Sequence, residues 1–346
     1  MIQLTTMKYL KYPLFLLLGL ILIFVILTFI GPKSLDITKS TKIEAPASVI
    51  YSLTNNLQNT ELWNAWTLSD STIQTQYNEI SSGVGATSTW TSDITGNGTQ
   101  KIIESVANQK VRSQLNFEGW SGDNFADIDI QSNGDEQNVS YSFQGTPLPW
   151  WMRGFALVTG MKGTMSDNYE KSLSHLKRVS EERGLGIYHG YEIKEKVMNE
   201  RNFIMTRKVV TGGNLQQFYA ANLGSLFLKV QEGGLTMQGM PNGLYFSYPE
   251  NENSKIDLGA AIPVSQVASV PGATTYTIPE KQAITLDFYG NYTDLGQGHE
   301  AIMAYMTDRG YLLDLPFTEE YANDPTQVDD PSKILTKVTY YYTASE

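Results

Sequence analysis

The sequence predicts an α+β protein in which an apolar N-terminal helix precedes two successive domains. Three observations support this prediction. An uncharged apolar run covers Tyr12 to Ile30, and a strand-rich segment closes with an amphipathic helix near Thr164 to Arg183. After Tyr191, a unit of strand, helix and two strands occurs twice. Because helices and strands repeat side-chain polarity with different periods, these segments can be told apart without a structure.

The apolar run "YPLFLLLGLILIFVILTFI" carries no charge over 19 residues. At about 1.5 Å per residue it spans roughly 28 Å, which matches the hydrocarbon core of a bilayer. No Ala-x-Ala-like cleavage site follows, so we expect an uncleaved single-pass anchor over residues 1–33. A cleaved signal peptide and a buried core helix are the alternatives. Two lysines precede the run and three follow it closely, so the positive-inside rule barely chooses an orientation. An extracytoplasmic soluble part is favoured, because single N-terminal anchors more often keep their short N-terminus in the cytoplasm.

Composition narrows the choice of partners. The net charge is −11, and no Lys/Arg-rich stripe interrupts the acidic character, so we do not expect nucleic acid as a partner. The chain has no cysteine, which excludes disulfides and thiolate chemistry. The three histidines stand far apart, without HxxxH or HExxH spacing. We therefore expect no metal site and no cofactor.

Residues 34–184 are predicted to form the first soluble domain. An alternating strand from Leu35 to Ile43 is followed by short aromatic-rich helices and then by strand-like runs separated by Gly, Asn and Asp. The closing helix carries leucines on one face and is followed by glycines that end it. This order of elements predicts a long helix lying on an antiparallel sheet.

The stretches "IEAPASVIYSLTNNLQNTELWNAW" and "GTMSDNYEKSLSHLKR" resemble the SRPBCC superfamily, which has the START-like or polyketide-cyclase-like helix-grip fold, over about residues 36–183. The resemblance implies a curved sheet around the long helix and an enclosed apolar cavity. The six tryptophans would supply its walls, although each could equally be an ordinary core or rim residue. The apolar segment Thr146–Met161, with two adjacent tryptophans, is a lid, a membrane-touching segment or plain packing.

Residues 188–346 are predicted to form the second domain. The unit of strand, helix ending in glycine and two strands occurs here twice, which predicts pseudo-twofold symmetry. We expect two sheets or sheet halves to face each other across a concave groove. The first segment, "YEIKEKVMNERNFIMTRKVV", is interpreted as a strand pair.

The stretches "KIDLGAAIPV" and "PFTEEYANDPTQVDDPSKILTKVTYYYT" resemble the GyrI-like effector-binding domains of AraC-type and MerR-type regulators. The resemblance implies a carboxylate in the groove, facing aromatic rings, and points to Glu319 and Tyr321. Strand alternation agrees, since these two residues share one face and Glu320 would then be solvated on the other. Tyr245 and Tyr289 are the candidate aromatic partners. The alternative is that Glu319 is a surface residue on an edge strand.

These observations favour a membrane-anchored protein that binds a small apolar or cationic amphipathic ligand. The resemblance implies sensing of a small molecule, but not DNA reading, because no helix-turn-helix accompanies the domain in this sequence. An alternative is a small-molecule hydrolase or cyclase in which Glu319 is the general base and Tyr321 a hydrogen-bond donor. A third possibility is an envelope scaffold whose cavities are closed. The sequence leaves the oligomeric state, the ligand's identity and the catalytic residues open.

Overall fold

The computed structural model describes residues 3–134, 136–248, 253–324 and 327–344. Pro325, which belongs to the predicted terminal motif, lies outside the described residues, as do the first two residues of the predicted anchor and the last two of the second domain. The chain divides into two compact units, Met1–Gly184 and Leu185–Glu346. The predicted α+β class is confirmed: an N-terminal apolar helix is followed by two antiparallel sheets with helices.

Helix α1, Gln3–Ile30, contains the apolar run. Within it, Tyr12–Ile30 has a mean hydropathy of 3.0, and only 6% of the span is buried by the rest of the protein. Among the described helices this is the one that is long and apolar enough to cross a membrane.

The sheet of the first unit has seven antiparallel strands in the order β1-β7-β6-β5-β4-β3-β2. Neighbouring strands are therefore mostly consecutive in sequence, and only β1 crosses over to pair with β7. The strands are β1 Ile37–Ile43, β2 Gln74–Tyr77, β3 Thr87–Thr91, β4 Gly98–Val106, β5 Lys110–Phe117, β6 Trp120–Asn133 and β7 Glu136–Gln144.

Four further helices belong to this unit: α2 Ala47–Asn55, α3 Ala65–Ser69, α4 Trp150–Val158 and α5 Met161–Gly184. The Asn64 side chain caps α3 by accepting from the backbone N–H groups of Trp66 and Thr67. Helix α5 buries Tyr169, Leu173 and Leu176, which recur at helical spacing and pack into the core between helix and sheet.

Aromatic rings fill the space between the sheet and the helices of this unit. Tyr141 and Tyr169 lie 4.1 Å apart between ring centroids, and Trp63 and Trp66 meet them edge-on at 5.8 and 5.5 Å. One cavity between these rings, lined in part by Trp63 and Tyr141, measures about 10 Å³, which is room for one water molecule. At this place the rings pack on one another instead of lining a ligand-sized void. Trp150 belongs to helix α4 and is 63% exposed, so it is no cavity wall.

The sheet of the second unit has nine strands in the order β13-β10-β12-β11-β15-β16-β14-β9-β8. Two helices, α6 Leu215–Glu232 and α7 Gly296–Arg309, contribute to one hydrophobic core with it. The strands are β8 Ile187–Tyr188, β9 Tyr191–Met198, β10 Arg201–Thr211, β11 Asn242–Tyr245, β12 Lys255–Val264, β13 Thr274–Ile278, β14 Lys281–Tyr289, β15 Tyr311–Tyr321 and β16 Leu335–Ala344.

The duplication is visible in the strand order. The first half consists of β9 to β12 and the second half of β13 to β16. From the centre of the sheet outward, one side reads β11, β12, β10, β13 and the other reads β15, β16, β14, β9, so equivalent strands of the two halves lie at equivalent distances from the centre. The two halves join edge to edge at β11 and β15. They are therefore halves of one continuous sheet, and of the two expected arrangements that of two separate sheets is wrong. The first strand of each half is exchanged: β9 pairs with β14, and β13 pairs with β10. The segment interpreted as a strand pair is thus two strands with different partners.

Candidate functional site

The site lies over the two central strands, where the halves of the second unit meet. Glu319 on β15 stands opposite Gly243 on β11 in the strand register. Its side chain turns inward, as strand alternation predicts, and the residue is only 5% exposed. Helix α6 reaches this region through Tyr219, and helix α7 reaches it through His299.

The Glu319 carboxylate is held by three side chains. Tyr245 and Tyr321 both donate their hydroxyl hydrogens to Oε2, at 2.9 and 3.0 Å. The other oxygen, Oε1, lies 3.0 Å from Nε2 of His299. Because hydrogen bonds to a charged acceptor are stronger than neutral ones, this arrangement stabilises an ionised carboxylate away from water.

The network continues beyond His299. Nδ1 of this residue lies 3.0 Å from the hydroxyl of Tyr340 on β16. If the imidazole is neutral, Nε2 donates to Glu319 and Nδ1 accepts from Tyr340; if it is protonated, both nitrogens donate. The same geometry therefore accommodates either a net negative cluster or a neutral ion pair.

Burial keeps the tyrosines of this cluster protonated. Desolvation raises the pKa of Tyr245 well above its usual value, and the negative charge of Glu319 raises it further. The pKa values of Tyr219, Tyr321 and Tyr340 are also raised, with burial as the largest cause in each. These hydroxyls are consequently hydrogen-bond donors at physiological pH.

Gly243 makes room for the hydroxyl groups. A β-carbon at this position would collide with the Tyr219 hydroxyl and would lie 3.0 Å from that of Tyr321. Tyr219 donates in turn to the Tyr245 hydroxyl at 3.3 Å. Because Gly243 has no side chain, the tyrosine hydroxyls can converge above the carboxylate.

Aromatic rings surround the polar centre. Phe317 stacks on Tyr245 and on Tyr340, each with ring centroids 4.5 Å apart. At the outer rim, Tyr292 contacts Tyr321 edge-on at 5.6 Å and is itself 42% exposed. These rings leave Glu319 only 5% exposed, so any molecule that contacts its carboxylate has to displace neighbouring side chains.

The structure brings together three of the four residues that the sequence suggested as ligand-binding. Tyr245 and Tyr321 both donate hydrogen bonds to Glu319, whereas Tyr289 stands at the end of β14 and is 58% exposed, away from this cluster. The expectation that Glu320 is solvated is wrong. Its carboxylate pairs with Arg201 at 2.9 Å, and its side chain is only 19% exposed.

Sequence reasoning missed His299, Tyr219 and Tyr340. A signal for the first two was present, because the duplication places the opening turns of α6 and α7 at equivalent positions on the sheet, and both turns carry rings. Tyr340 lies in the run "TYYYT", where alternation alone does not say which tyrosine turns inward. No group of three or more His, Asp or Glu side chains able to hold a metal ion occurs among the described residues.

Comparisons with known proteins give structural likeness only. No known family profile matches the chain, and no curated protein matches its sequence. The C-terminal domain of EcmrR is 19% identical and covers 45% of this chain and 99% of its own, with a TM-score of 0.41. An uncharacterised conserved protein from Listeria innocua is 14% identical, covering 44% and 92%, with a TM-score of 0.35. The Aha1 dimer from Colwellia psychrerythraea is 17% identical, covering 42% and 96%, with a TM-score of 0.32. At these scores the likenesses say nothing about ligand or activity.

Proposed function

We propose that the second unit binds a small cationic, partly apolar molecule at Glu319, and that α1 anchors the protein in a membrane. The observation that supports the binding proposal is a carboxylate that is 5% exposed and ringed by tyrosines. A buried charge is costly, and natural proteins keep one where a partner or a function offsets that cost.

A cation fits this site better than an anion or a neutral molecule. The tyrosine hydroxyls that donate to Glu319 are neutral, whereas a bound cation would neutralise the negative charge of the carboxylate. The rings of Tyr245 and Tyr321 add cation–π attraction of about 0.5–2 kcal/mol for each ring face that the cation touches. Phe317 is stacked between Tyr245 and Tyr340 and offers no free face. The rings of Tyr245 and Tyr321 also offer contact area to the apolar part of the ligand.

The test is thermal unfolding of the full chain in detergent, with tetraphenylphosphonium as a lipophilic cation and neutral triphenylphosphine oxide as the matched probe. At 100 times its dissociation constant a ligand adds about 2.7 kcal/mol of stability. The cation should raise the unfolding temperature of the wild type and the neutral probe should leave it unchanged. Glu319→Gln should weaken cation binding at least about tenfold, because the charge that pairs with the ligand is gone.

Two matched substitutions locate the site. Tyr321→Phe removes a hydroxyl bound to Glu319 and should weaken binding of the cation. Tyr289→Phe removes an exposed hydroxyl outside the cluster and should leave binding unchanged. If the cation stabilises Glu319→Gln as much as the wild type, ligand binding at this carboxylate is excluded.

A second candidate function is hydrolysis or cyclisation of a small molecule. The chain of hydrogen bonds from Glu319 through His299 to Tyr340 offers a path for a proton, and Tyr321 is a donor beside the carboxylate. Under this hypothesis Glu319→Gln abolishes turnover of a substrate that still binds. Under the binding hypothesis the bound molecule is recovered chemically unchanged by mass spectrometry.

The anchoring proposal rests on the length and hydropathy of Tyr12–Ile30. We further propose that the soluble units face the extracytoplasmic side and do not bind nucleic acid, in line with the acidic net charge of −11. Protease added to spheroplasts, from which any outer membrane and cell wall have been removed, should digest the soluble units if they are extracytoplasmic. Protection until the spheroplasts are lysed would reverse the orientation.

A further inference from the structure

Helix α4 carries a band of large apolar side chains that the described residues of the first unit leave uncovered. Soluble surfaces seldom keep so many neighbouring side chains of this kind in water. They are Trp150, Trp151, Phe155, Leu157 and Val158, which are 63, 51, 52, 40 and 68% exposed.

Helix α4 packs closely against the end of α1 through a small residue. Gly154 is buried, and a β-carbon there would lie 3.2 Å from Cγ2 of Thr28 and 3.4 Å from the ring of Phe24. Such close approach through glycine is common between helices within membranes. It fixes α4 at the level of the last two turns of α1.

The segments that lead into and out of this contact are also joined. The backbone N–H of Leu148, just before α4, donates to the carbonyl oxygen of Lys33, just after α1, at 2.8 Å. A β-carbon at Gly31 would collide with the Arg153 carbonyl, so the backbones touch here as well. The position of α4 along α1 is therefore set by the fold of the first unit.

The exposed residues flank the contact on both sides. Trp151, Phe155 and Val158 follow one another at helical spacing and form one stripe; the other two exposed residues, seven positions apart, form a second. Gly154 is three or four positions from the first and last residue of each stripe, so it lies on the helix surface between the two stripes. Because Gly154 contacts α1, helix α1 also lies between the two stripes. Around α1, both flanks of α4 are consequently apolar.

The depth of α4 follows from the contacts on α1. Phe24 and Thr28 precede Ile30 by six and two residues, which places them about 9 and 3 Å inside the end of the apolar run. Amphipathic helices that lie in a membrane interface are buried to about this depth, 5–10 Å. If α1 spans the bilayer, α4 reaches the hydrocarbon boundary with it.

We propose that the aromatic band of α4 is inserted in the same bilayer leaflet as the end of α1, where lipid acyl chains cover it. This inference rests on the proposed anchoring by α1. The indole rings of Trp150 and Trp151 suit the interface, where their N–H groups meet water or headgroups. Lys33 follows α1 and Lys162 follows α4, and their charges suit lipid phosphates.

The experiment uses nitroxide spin labels on the full chain in nanodiscs of phosphatidylcholine and phosphatidylglycerol. The chain has no native cysteine, so single-cysteine variants are labelled at one site only. Val158→Cys reports on α4, Leu20→Cys reports on the middle of α1, and Ile94→Cys, at a residue 72% exposed in the same unit, reports on water. Oxygen collides with labels in lipid, whereas a nickel chelate collides with labels in water.

The label at Val158 should show an oxygen-to-nickel collision ratio several-fold above that at Ile94 and closer to that at Leu20. A lipid-exposed label at Leu20 with a water-exposed label at Val158 overturns the insertion of α4 but leaves the anchoring intact. Water exposure at Leu20 overturns both. A label at Val158 shielded from both collision partners and broadened by a second nitroxide shows that another copy of the chain covers α4, which also overturns insertion. Val158 is 68% exposed, so its replacement removes little packing.

Discussion

Replacing Glu319 with glutamine tests whether the carboxylate serves function at the expense of stability. The amide has the same shape and can keep both tyrosine bonds if its oxygen takes the place of Oε2. Its NH₂ group then faces Nε2 of His299, which accepts if the imidazole proton moves to Nδ1 and is donated to Tyr340. The three hydrogen bonds that the carboxylate makes can therefore all be kept by the amide.

The expected magnitude follows from two opposing effects. A hydrogen bond to a charged group contributes about 1.5–3 kcal/mol and a neutral one about 0.5–1.5, so three bonds together weaken by about 3–4.5 kcal/mol. Keeping a charge out of water costs several kcal/mol, and Glu319→Gln removes that cost. We expect the free energy of unfolding of the second unit to change by less than about 1.5 kcal/mol.

A double-mutant cycle measures the charge directly. Tyr321→Phe should cost about 1.5–3 kcal/mol in the wild type but only about 0.5–1.5 in the Glu319→Gln background, a coupling of about 1–1.5 kcal/mol. Hydrogen exchange of the β11 and β15 amides in the full chain gives the local opening free energies. Tyr289→Phe, an exposed control, should stay within about 0.5 kcal/mol.

Equal costs of Tyr321→Phe in both backgrounds would refute the inference that this hydroxyl binds an ionised carboxylate. A loss above about 3 kcal/mol for Glu319→Gln alone would show that the carboxylate is a structural element of the sheet. The ligand-binding proposal would then lose its physical basis.

Three further outcomes are expected. Gly243→Ala should lower the temperature of unfolding and weaken cation binding, because the added methyl displaces the Tyr219 hydroxyl. Gly224→Ala, in α6 with open space around it, should instead stabilise the protein by about 1 kcal/mol, and calorimetry of both variants checks the contrast. Burial raises the pKa of Tyr141 to about 12, so the unfolded chain ionises first and stability falls from about pH 10 upward. Over two pH units the wild type should lose about 3 kcal/mol of its free energy of unfolding, and Tyr141→Phe should not show this loss. Denaturant titrations of both proteins at about pH 9 and 12 measure it, and equal losses would contradict the assignment.

The inward direction of Glu319 was predictable because a strand has a period of two, and parity needs only one correct assignment of a strand. Parity did not reveal that Arg201 would cover Glu320, since the two residues are 119 apart in sequence and meet only through strand pairing. Tyr289 illustrates the same weakness. It is an aromatic residue in a predicted strand, but it is the last residue of β14 and its ring is exposed.

The tryptophans show why composition cannot predict a cavity. Aromatic residues that could line a void could also fill it, and the choice depends on ring-to-ring distances such as the 4.1 Å between Tyr141 and Tyr169. His299 was missed for a related reason. A single histidine without a motif gains meaning only when the fold brings it within 3.0 Å of a carboxylate 20 positions away.

The exchange of strands between the halves has a consequence for biosynthesis. Strand β9, near the start of the second unit, waits for β14, since Ile193 pairs with Leu286. Strand β16 lies between β15 and β14 in the sheet, so the sheet stays divided until residues 335–344 have been translated. The nascent second unit therefore keeps unpaired strand edges until its last strand has been made, and unpaired edges of this kind are prone to aggregation.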